Sequence, residues 1–481
     1  MRAKGLRGGQ AEGERDVSPS AWPNLSLSAI LKKASGHLPG AFFSLRGGGI
    51  EKSRVSGGRA LDARDDNRDK ACSSPRGTPL KSKAKNNHRK SGKIRGRLSD
   101  MYERFLDLSN LLKSRSVFLF GPRQTGKSTF LHTRYPRATL INLLESDTFR
   151  ELSVRPESLR ERVRARSGSW VIIDEIQKIP TLLNEVHHLI ESDKTLRFIL
   201  TGSSARALKR KGVNLLGGRA LSARMHPLVS RELNFKRFEE TLLWGSLPGI
   251  LDSATRKEDL KSYVGTYLQE EIRAEGLVRN LGAFSRFLEV AALCSGQQMS
   301  YVGVASDAQV NERTVKDYFQ ILFDTFLGRE LLPFRKARTR KTVATPKFYL
   351  FDTGVWNALL GRFSLSPRTR EFGEALEHRV FHELSAYLDY TRSDENLSYW
   401  RPQKQATEVD FLVGDRVAIE VKGTNRVGPA DVRGLDLLSR ELRMKHRIVV
   451  SNESTPRKLE TGVEVLPFPV FCERLWAGEI L

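Results

Sequence analysis

Gly121-Pro122-Arg123-Gln124-Thr125-Gly126-Lys127-Ser128 follows the pattern Gly-x-x-x-x-Gly-Lys-Ser/Thr. An apolar run, Ser116-Val117-Phe118-Leu119-Phe120, precedes it, and Thr129-Phe130-Leu131 opens a helical pattern after it. Strand, glycine loop and helix turn backbone N–H groups and a helix N-terminus toward one point, which suits a polyphosphate. Lys127 has the reach for β- and γ-phosphates, and the Ser128 hydroxyl suits Mg²⁺. Residues Gly121 to Thr129 are therefore the expected binding set, with ATP and Mg²⁺ as the expected cofactors.

A second strand, Trp170-Val171-Ile172-Ile173, ends in Asp174-Glu175. Asp174 is placed to order the metal, and Glu175 to orient and deprotonate an attacking water. A third strand, Arg197-Phe198-Ile199-Leu200, leads into Thr201-Gly202-Ser203-Ser204-Ala205. Polar residues at the C-terminal edge of a parallel sheet face its ligand. Thr201 or Ser203 is thus expected to sense a γ-phosphate or hold the water. Arg206 and Arg219 are candidate transition-state cations, which a neighbouring subunit can supply, so a homo-oligomer is an expectation. The alternative for each arginine is a solvated surface.

A second constellation lies near the C-terminus. Glu408-Val409-Asp410-Phe411-Leu412-Val413 and Arg416-Val417-Ala418-Ile419-Glu420-Val421-Lys422 read as two strands joined at Gly414-Asp415. Alternation puts Ala418, Glu420 and Lys422 on one face, and Asp410 lies on the neighbouring strand. Two carboxylates suit Mg²⁺, and a lysine beside them suits developing phosphoryl charge. The helical stretch Glu374 to Phe381 offers Glu377 as a further ligand. Alternating charge on an exposed strand face is the competing reading.

The chain has 481 residues and a formal net charge of +24, a balance that points to a polyanion such as DNA. Residues 1–100 supply more than half of that charge, with 22 Lys and Arg against 9 Asp and Glu. They show no sustained apolar period and read as a disordered basic extension. Order begins abruptly after Met101, so an over-extended gene start is a further expectation. From 101 to 225, strands alternate with helices, as a parallel sheet requires. Residues 226–282 read as a helical lid, with Tyr263 to Ile272 its clearest helix. Residues 283–355 read as a winged helix, in which Asn311 caps a helix bearing Val315, Tyr318, Phe319, Leu322 and Phe323, and Arg338, Arg340 and Lys341 lie in the wing. Whether that region grips DNA or packs other domains stays open. Residues 356–481 form the last α/β domain. His187-His188 point apart on a helix and do not make a metal pair. Cys72, Cys294 and Cys472 are widely spaced, which fits a reducing cytoplasm, and no apolar stretch is long enough for a membrane span.

Residues 101–481 resemble the predicted AAA+ ATPases of bacteria and archaea that carry a conserved C-terminal domain of uncharacterised function. The resemblance rests on the loop above, on Ile173 to Pro180, Leu200 to Arg206, Leu215 to Ala220 and His226-Pro227-Leu228. It extends to Phe351-Asp352-Thr353-Gly354, Glu408 to Phe411 and Ile419 to Lys422. It implies a P-loop ATPase sheet, a winged-helix region and a C-terminal fold like the PD-(D/E)xK restriction-endonuclease superfamily. It also favours Arg219 over Arg206 as the finger. One departure is that the first acid reads Glu-Val-Asp rather than Pro-Asp.

Overall fold

The computed structural model describes residues 102–481 apart from 166–167, 169, 207, 209–215, 269–271, 273–277, 279, 336–344 and 403–406. The expected basic extension, the gene start and the wing cations Arg338, Arg340 and Lys341 lie outside the described residues.

The first sheet is built from β1 (Ser116–Phe120), β2 (Thr139–Asn142), β3 (Trp170–Asp174), β4 (Arg197–Gly202) and β5 (Ala220–Arg224). Its order is β2-β3-β4-β1-β5, and every pairing is parallel. Strand β1 is buried throughout because both faces of the sheet are covered. Alternation sorts its side chains. Phe118 and Phe120 pack with Ile173, Leu200 and the helix Leu182–Ser192. Val117 and Leu119 enter a core that continues into the C-terminal half. That shared core removes the option of two loosely tethered domains.

Three helices follow at Leu281–Leu293, Tyr301–Ala308 and Glu312–Asp324. Each is capped by a side chain, Asn280, Ser300 and Asn311 respectively, that accepts a backbone N–H of the first turn. Phe284 and Phe287 of the first pack against Tyr318 and Phe319 of the third. The regular helix expected from Tyr263 begins instead as a π turn over Tyr263–Tyr267. Gly265 lies in its middle and weakens the regular i→i−4 ladder.

The second sheet has eight strands: β6 (Gly328–Pro333), β7 (Lys347–Leu350), β8 (Leu397–Trp400), β9 (Val409–Val413), β10 (Val417–Lys422), β11 (His446–Ser451), β12 (Arg457–Lys458) and β13 (Glu464–Pro467). Their order is β12-β13-β11-β10-β9-β8-β6-β7. The long helix Arg370–Thr391 covers one face, where Phe411, Val417, Ile419 and Val450 meet Leu376, Val380 and Leu384. On the other face Leu412, Ala418 and Val449 pack with Leu435 and Leu438.

The winged helix was expected to close on the strand Lys347 to Phe351, and the structure supplies two strands there, β7 and an unforeseen β6. They pair with each other antiparallel, and β6 also pairs with β8 in parallel. A hairpin edge with unpaired backbone groups is thereby covered. The boundary expected at 355/356 falls inside the helix Thr353–Leu359, and the strands before and after it, β7 and β8, belong to one sheet.

Candidate nucleotide site and C-terminal cavity

The glycine loop is shaped by close packing. A Cβ on Gly121 would lie 2.4 Å from the Met225 carbonyl oxygen, and Gly126 has a φ of +89°. Only glycine suits both places. Lys127 is buried, and its Nζ donates to the carbonyls of Gly121 at 2.8 Å and Pro122 at 2.9 Å. Those bonds hold the ammonium across the loop. Thr125 Oγ1 also donates to the Pro122 carbonyl, at 2.9 Å.

The acid strand arrives beside this loop. Ser128 Oγ donates to Asp174 Oδ2 at 2.7 Å. The other carboxylate oxygen, Oδ1, accepts from Thr201 Oγ1, which in turn accepts from the Glu175 N–H at 3.0 Å. Ser128, Asp174, Glu175 and Thr201 thus form one chain across β3, β4 and the loop. An all-oxygen set with a hydroxyl already facing a carboxylate suits a hard cation such as Mg²⁺. Gln177, on the single 3₁₀ turn Ile176–Lys178, folds back so that its amide donates to Glu175 Oε2 and, at 3.3 Å, to Ser203 Oγ.

The two arginines differ. Arg206 pairs with Asp324 inside the molecule at 3.1 Å. Arg219 is partly exposed and pairs with Glu191 at the end of its helix. Glu191 also binds Lys194 at 2.6 Å, and these two cations hold its carboxyl down to about 2.

In the C-terminal half, β9 and β10 pair with Ala418 opposite Leu412 and Ile419 opposite Phe411. That register carries Asp410 and Glu420 to the same face. Asp410, Glu420 and Lys422 line a cavity of about 600 Å³ together with Lys347, Glu408 and Arg401. The Val421 N–H donates to Asp410 Oδ2 at 2.8 Å, and Lys422 Nζ donates to Glu420 Oε1 at 2.5 Å. Glu420 Oε2 is buried without a hydrogen-bond partner. Burial and the neighbouring Glu420 push the Asp410 carboxyl well above the usual carboxylate range. Burial likewise pushes Glu420 up to about 7. Burial opposes the charge on Lys422, but Glu420 and Asp410 outweigh it and hold the ammonium protonated.

Glu377 comes from its helix as expected but meets other partners. Tyr349 Oη donates to its Oε1 at 2.5 Å, and Lys347 Nζ lies 3.4 Å away. Lys347 also pairs with Glu408 at 2.6 Å. Among the described residues, no three His, Cys, Asp or Glu side chains form a group able to hold a metal ion.

Residues 113–234 match the family model described as an AAA domain. The first sheet lies within that matched segment. Residues 235–366 and 372–471 match two domains of unknown function, DUF8612 and DUF4143. The chain is similar to uncharacterized protein Rv2008c of Mycobacterium tuberculosis, at 27% identity over 321 residues, covering 64% of this chain and 70% of that one. It is also similar to uncharacterized protein MJ1544 of Methanocaldococcus jannaschii, at 24% identity over 413 residues, covering 74% and 88%. Among solved structures, it aligns with a signal-transduction ATPase with numerous domains from Pyrococcus horikoshii, which carries a tetratricopeptide-repeat sensor. That alignment has 15% identity and a TM-score of 0.21, and covers 61% of this chain and 47% of that one. Among the described residues no helix is long and apolar enough to cross a membrane.

Several residues at these sites escaped the sequence reading. Gln177 is two positions past Glu175, and only the 3₁₀ turn brings it back. Glu408 had a usable signal, since it is two residues before Asp410 and so shares its face. Lys347 begins an apolar strand and gave no sign of chemistry. Arg104 precedes the first element, yet its guanidinium donates to the loop carbonyl of Thr125 at 2.7 Å.

Proposed function

We propose that the protein is a Mg²⁺-dependent ATPase whose nucleotide state controls a nucleic-acid-contacting C-terminal half. The observation that carries the first part is the hydrogen-bonded chain Ser128–Asp174–Thr201–Glu175 beside Lys127. In this reading the loop N–H groups and Lys127 bind the β- and γ-phosphates. Ser128 and Asp174 hold the ion, which supplies charge neutralisation between the phosphates. Glu175 accepts the proton of the attacking water, and Thr201 fixes Asp174 and the Glu175 backbone. Arg219, partly exposed, is the arginine offered to a neighbouring subunit.

The C-terminal part rests on the convergence of Asp410, Glu420 and Lys422 in one cavity. A divalent ion on the two carboxylates would polarise a phosphodiester, and Lys422 would stabilise the charge that develops. The three helices with the β6–β7 hairpin, read as a winged helix, form part of the wall beside this cavity. The basic balance of the chain supports a nucleic-acid partner.

The test is an ATPase assay with and without DNA, alongside Mg²⁺- and Mn²⁺-dependent cleavage of single-stranded, duplex and branched DNA. Lys127→Ala should abolish tight ATP binding. Glu175→Gln should keep binding and slow turnover by at least about a hundredfold. Equal turnover in Glu175→Gln and the parent would remove Glu175 from its role. The absence of any cleavage would leave the cavity as a binding site.

One observation favours a second reading, a nucleotide-operated switch that turns over rarely. Glu175 Oε2 is already engaged by the Gln177 amide. Tight ATP binding with negligible turnover, with or without DNA, would support that reading.

A further inference from the structure

Lys347, Lys422, Glu408, Asp410 and Glu420 line the C-terminal cavity, Glu377 reaches Lys347 from its helix, and these groups are not equivalent. Lys422, 31% exposed in its side chain, pairs with Glu420 on its own strand. Lys347 is 3% exposed and comes from β7, on the far edge of the sheet. A buried ammonium is retained only when it is paired, and Lys347 is paired twice. Its Nζ lies 2.6 Å from Glu408 Oε1 and 3.4 Å from Glu377 Oε1. The other oxygen of Glu408 faces Arg401 at 3.7 Å, at the rim. Glu377 Oε1 also accepts from Tyr349 Oη.

These contacts divide the carboxylates. Glu377 and Glu408 are engaged by fixed cations and a phenol. Asp410 keeps one oxygen on the Val421 N–H, and Glu420 keeps Oε2 buried with no partner. A buried carboxylate oxygen without a donor is costly, and such a group calls for an explanation. It lies in the cavity wall beside Asp410.

We propose that Lys347 is a positioning residue that acts as a built-in cation: it withdraws Glu377 and Glu408 from metal binding and leaves Asp410 and Glu420 as a site for a single divalent ion. The inference rests on the reading that Asp410 and Glu420 hold metal. It adds how many ions bind and which acids are excluded. It also gives the hairpin a role in the chemistry, because β7 delivers Lys347, which pairs antiparallel with Gln298 from the segment between the helices Leu281–Leu293 and Tyr301–Ala308.

The experiment is a titration of the full chain with Mn²⁺ alone, without nucleotide or DNA, read by electron paramagnetic resonance and calorimetry. An Asp174→Asn background removes the ion expected at the ATPase domain. One Mn²⁺ per chain should bind, and Asp410→Asn or Glu420→Gln should weaken it more than about a hundredfold. Glu377→Gln and Glu408→Gln should each weaken it less than about tenfold, since only charge at a distance is lost. Lys347→Gln should tighten binding at least about tenfold, or admit a second Mn²⁺, because two carboxylates are released. A folded Lys347→Gln protein with unchanged affinity and stoichiometry overturns the proposal. If that variant does not fold, Glu377→Gln decides: a loss as large as that of Asp410→Asn makes Glu377 a ligand, and the proposal fails while the metal reading stands. No Mn²⁺ bound to the background protein would overturn the metal reading itself.

Discussion

Arg206 and Asp324 form an internal ion pair at 3.1 Å that joins the turn after β4 to the last residue of the helix Glu312–Asp324. The Ala205 N–H donates to the Asp324 carbonyl at 3.1 Å beside it. The residues just before this turn, Thr201 and Ser203, are bonded to Asp174 and Gln177. A path of direct contacts therefore runs from the acid strand to the three-helix region. Arg206 is part of that path, whereas Arg219 lies off it and pairs with Glu191.

The two arginines should separate cleanly on mutation. Arg206→Ala leaves Asp324 with its charge and without its main cation, so stability should fall by about 2 kcal/mol or more. Arg219→Ala breaks a solvent-screened surface pair and should cost far less than Arg206→Ala. Turnover should behave the other way, with Arg219→Ala slowing ATP hydrolysis at saturating nucleotide. Urea unfolding and a steady-state ATPase assay on both variants decide it. A stability loss in Arg219→Ala equal to that of Arg206→Ala would contradict the assignment.

Gln177 gives a sharper test of how Glu175 is used. Its amide holds both Glu175 and Ser203, so Gln177→Ala should disorder the base without touching the phosphate loop. A fall in kcat of about tenfold is expected, with KM for ATP unchanged, because catalytic groups lose rate steeply when misplaced. A rise in kcat would instead identify Gln177 as a clamp that keeps Glu175 idle, and would favour the switch reading.

The phosphate loop, the acid strand and the β9–β10 pair were legible because each is local. A motif of eight residues, or two strands joined by a two-residue turn, fixes its own geometry. The alternation that placed Glu420 and Lys422 on one face is a property of any strand. Lys347, Arg104 and the merger of the β6–β7 hairpin into the second sheet were not legible. Each depends on contacts between segments far apart in the chain, and no periodicity records which edge a hairpin will join. Glu377 falls between these cases. Its helix was readable, but the choice between a metal and Lys347 as its partner was not.

Acid should destabilise the fold through its buried histidines. Burial pushes His378 down to about 4, and His382 well below the usual value. His378 Nε2 bonds the Leu350 carbonyl at 2.5 Å, while Nδ1 has no partner. The neutral ring is therefore the folded form. Below pH 6.5 the unfolded chain takes up protons that the folded chain refuses, so stability is full above about 6.5 and falls as pH drops toward 4. His378→Leu should reduce the slope of unfolding free energy against pH by about 1.4 kcal/mol per unit in that window. Urea titrations at several pH values measure the slope. An unchanged slope would mean that His378 is already charged in the folded protein.

Arg104 ties the nucleotide loop to the C-terminal half, and its replacement tests whether that tie transmits anything. The side chain is 6% exposed and pairs with the fully buried Glu232 at 3.0 Å. Its other nitrogens donate to Thr125 O at 2.7 Å, to His226 O at 2.5 Å and to Tyr390 Oη at 3.1 Å. Tyr390 lies at the end of the long helix Arg370–Thr391. Lysine keeps the charge opposite Glu232 but cannot span these acceptors, because an ammonium lacks the planar fork of a guanidinium. Arg104→Lys should therefore lower stability by about 2 kcal/mol and weaken ATP binding about tenfold, the scale of one lost hydrogen bond to a charged group. In the parent protein, ATP should slow amide exchange in the last turns of Arg370–Thr391, since ordering Thr125 also orders Arg104 and Tyr390. In Arg104→Lys at saturating ATP that protection should disappear. If the variant binds ATP and still protects the helix, the signal takes another route, and the Arg206–Asp324 pair is the next contact to break.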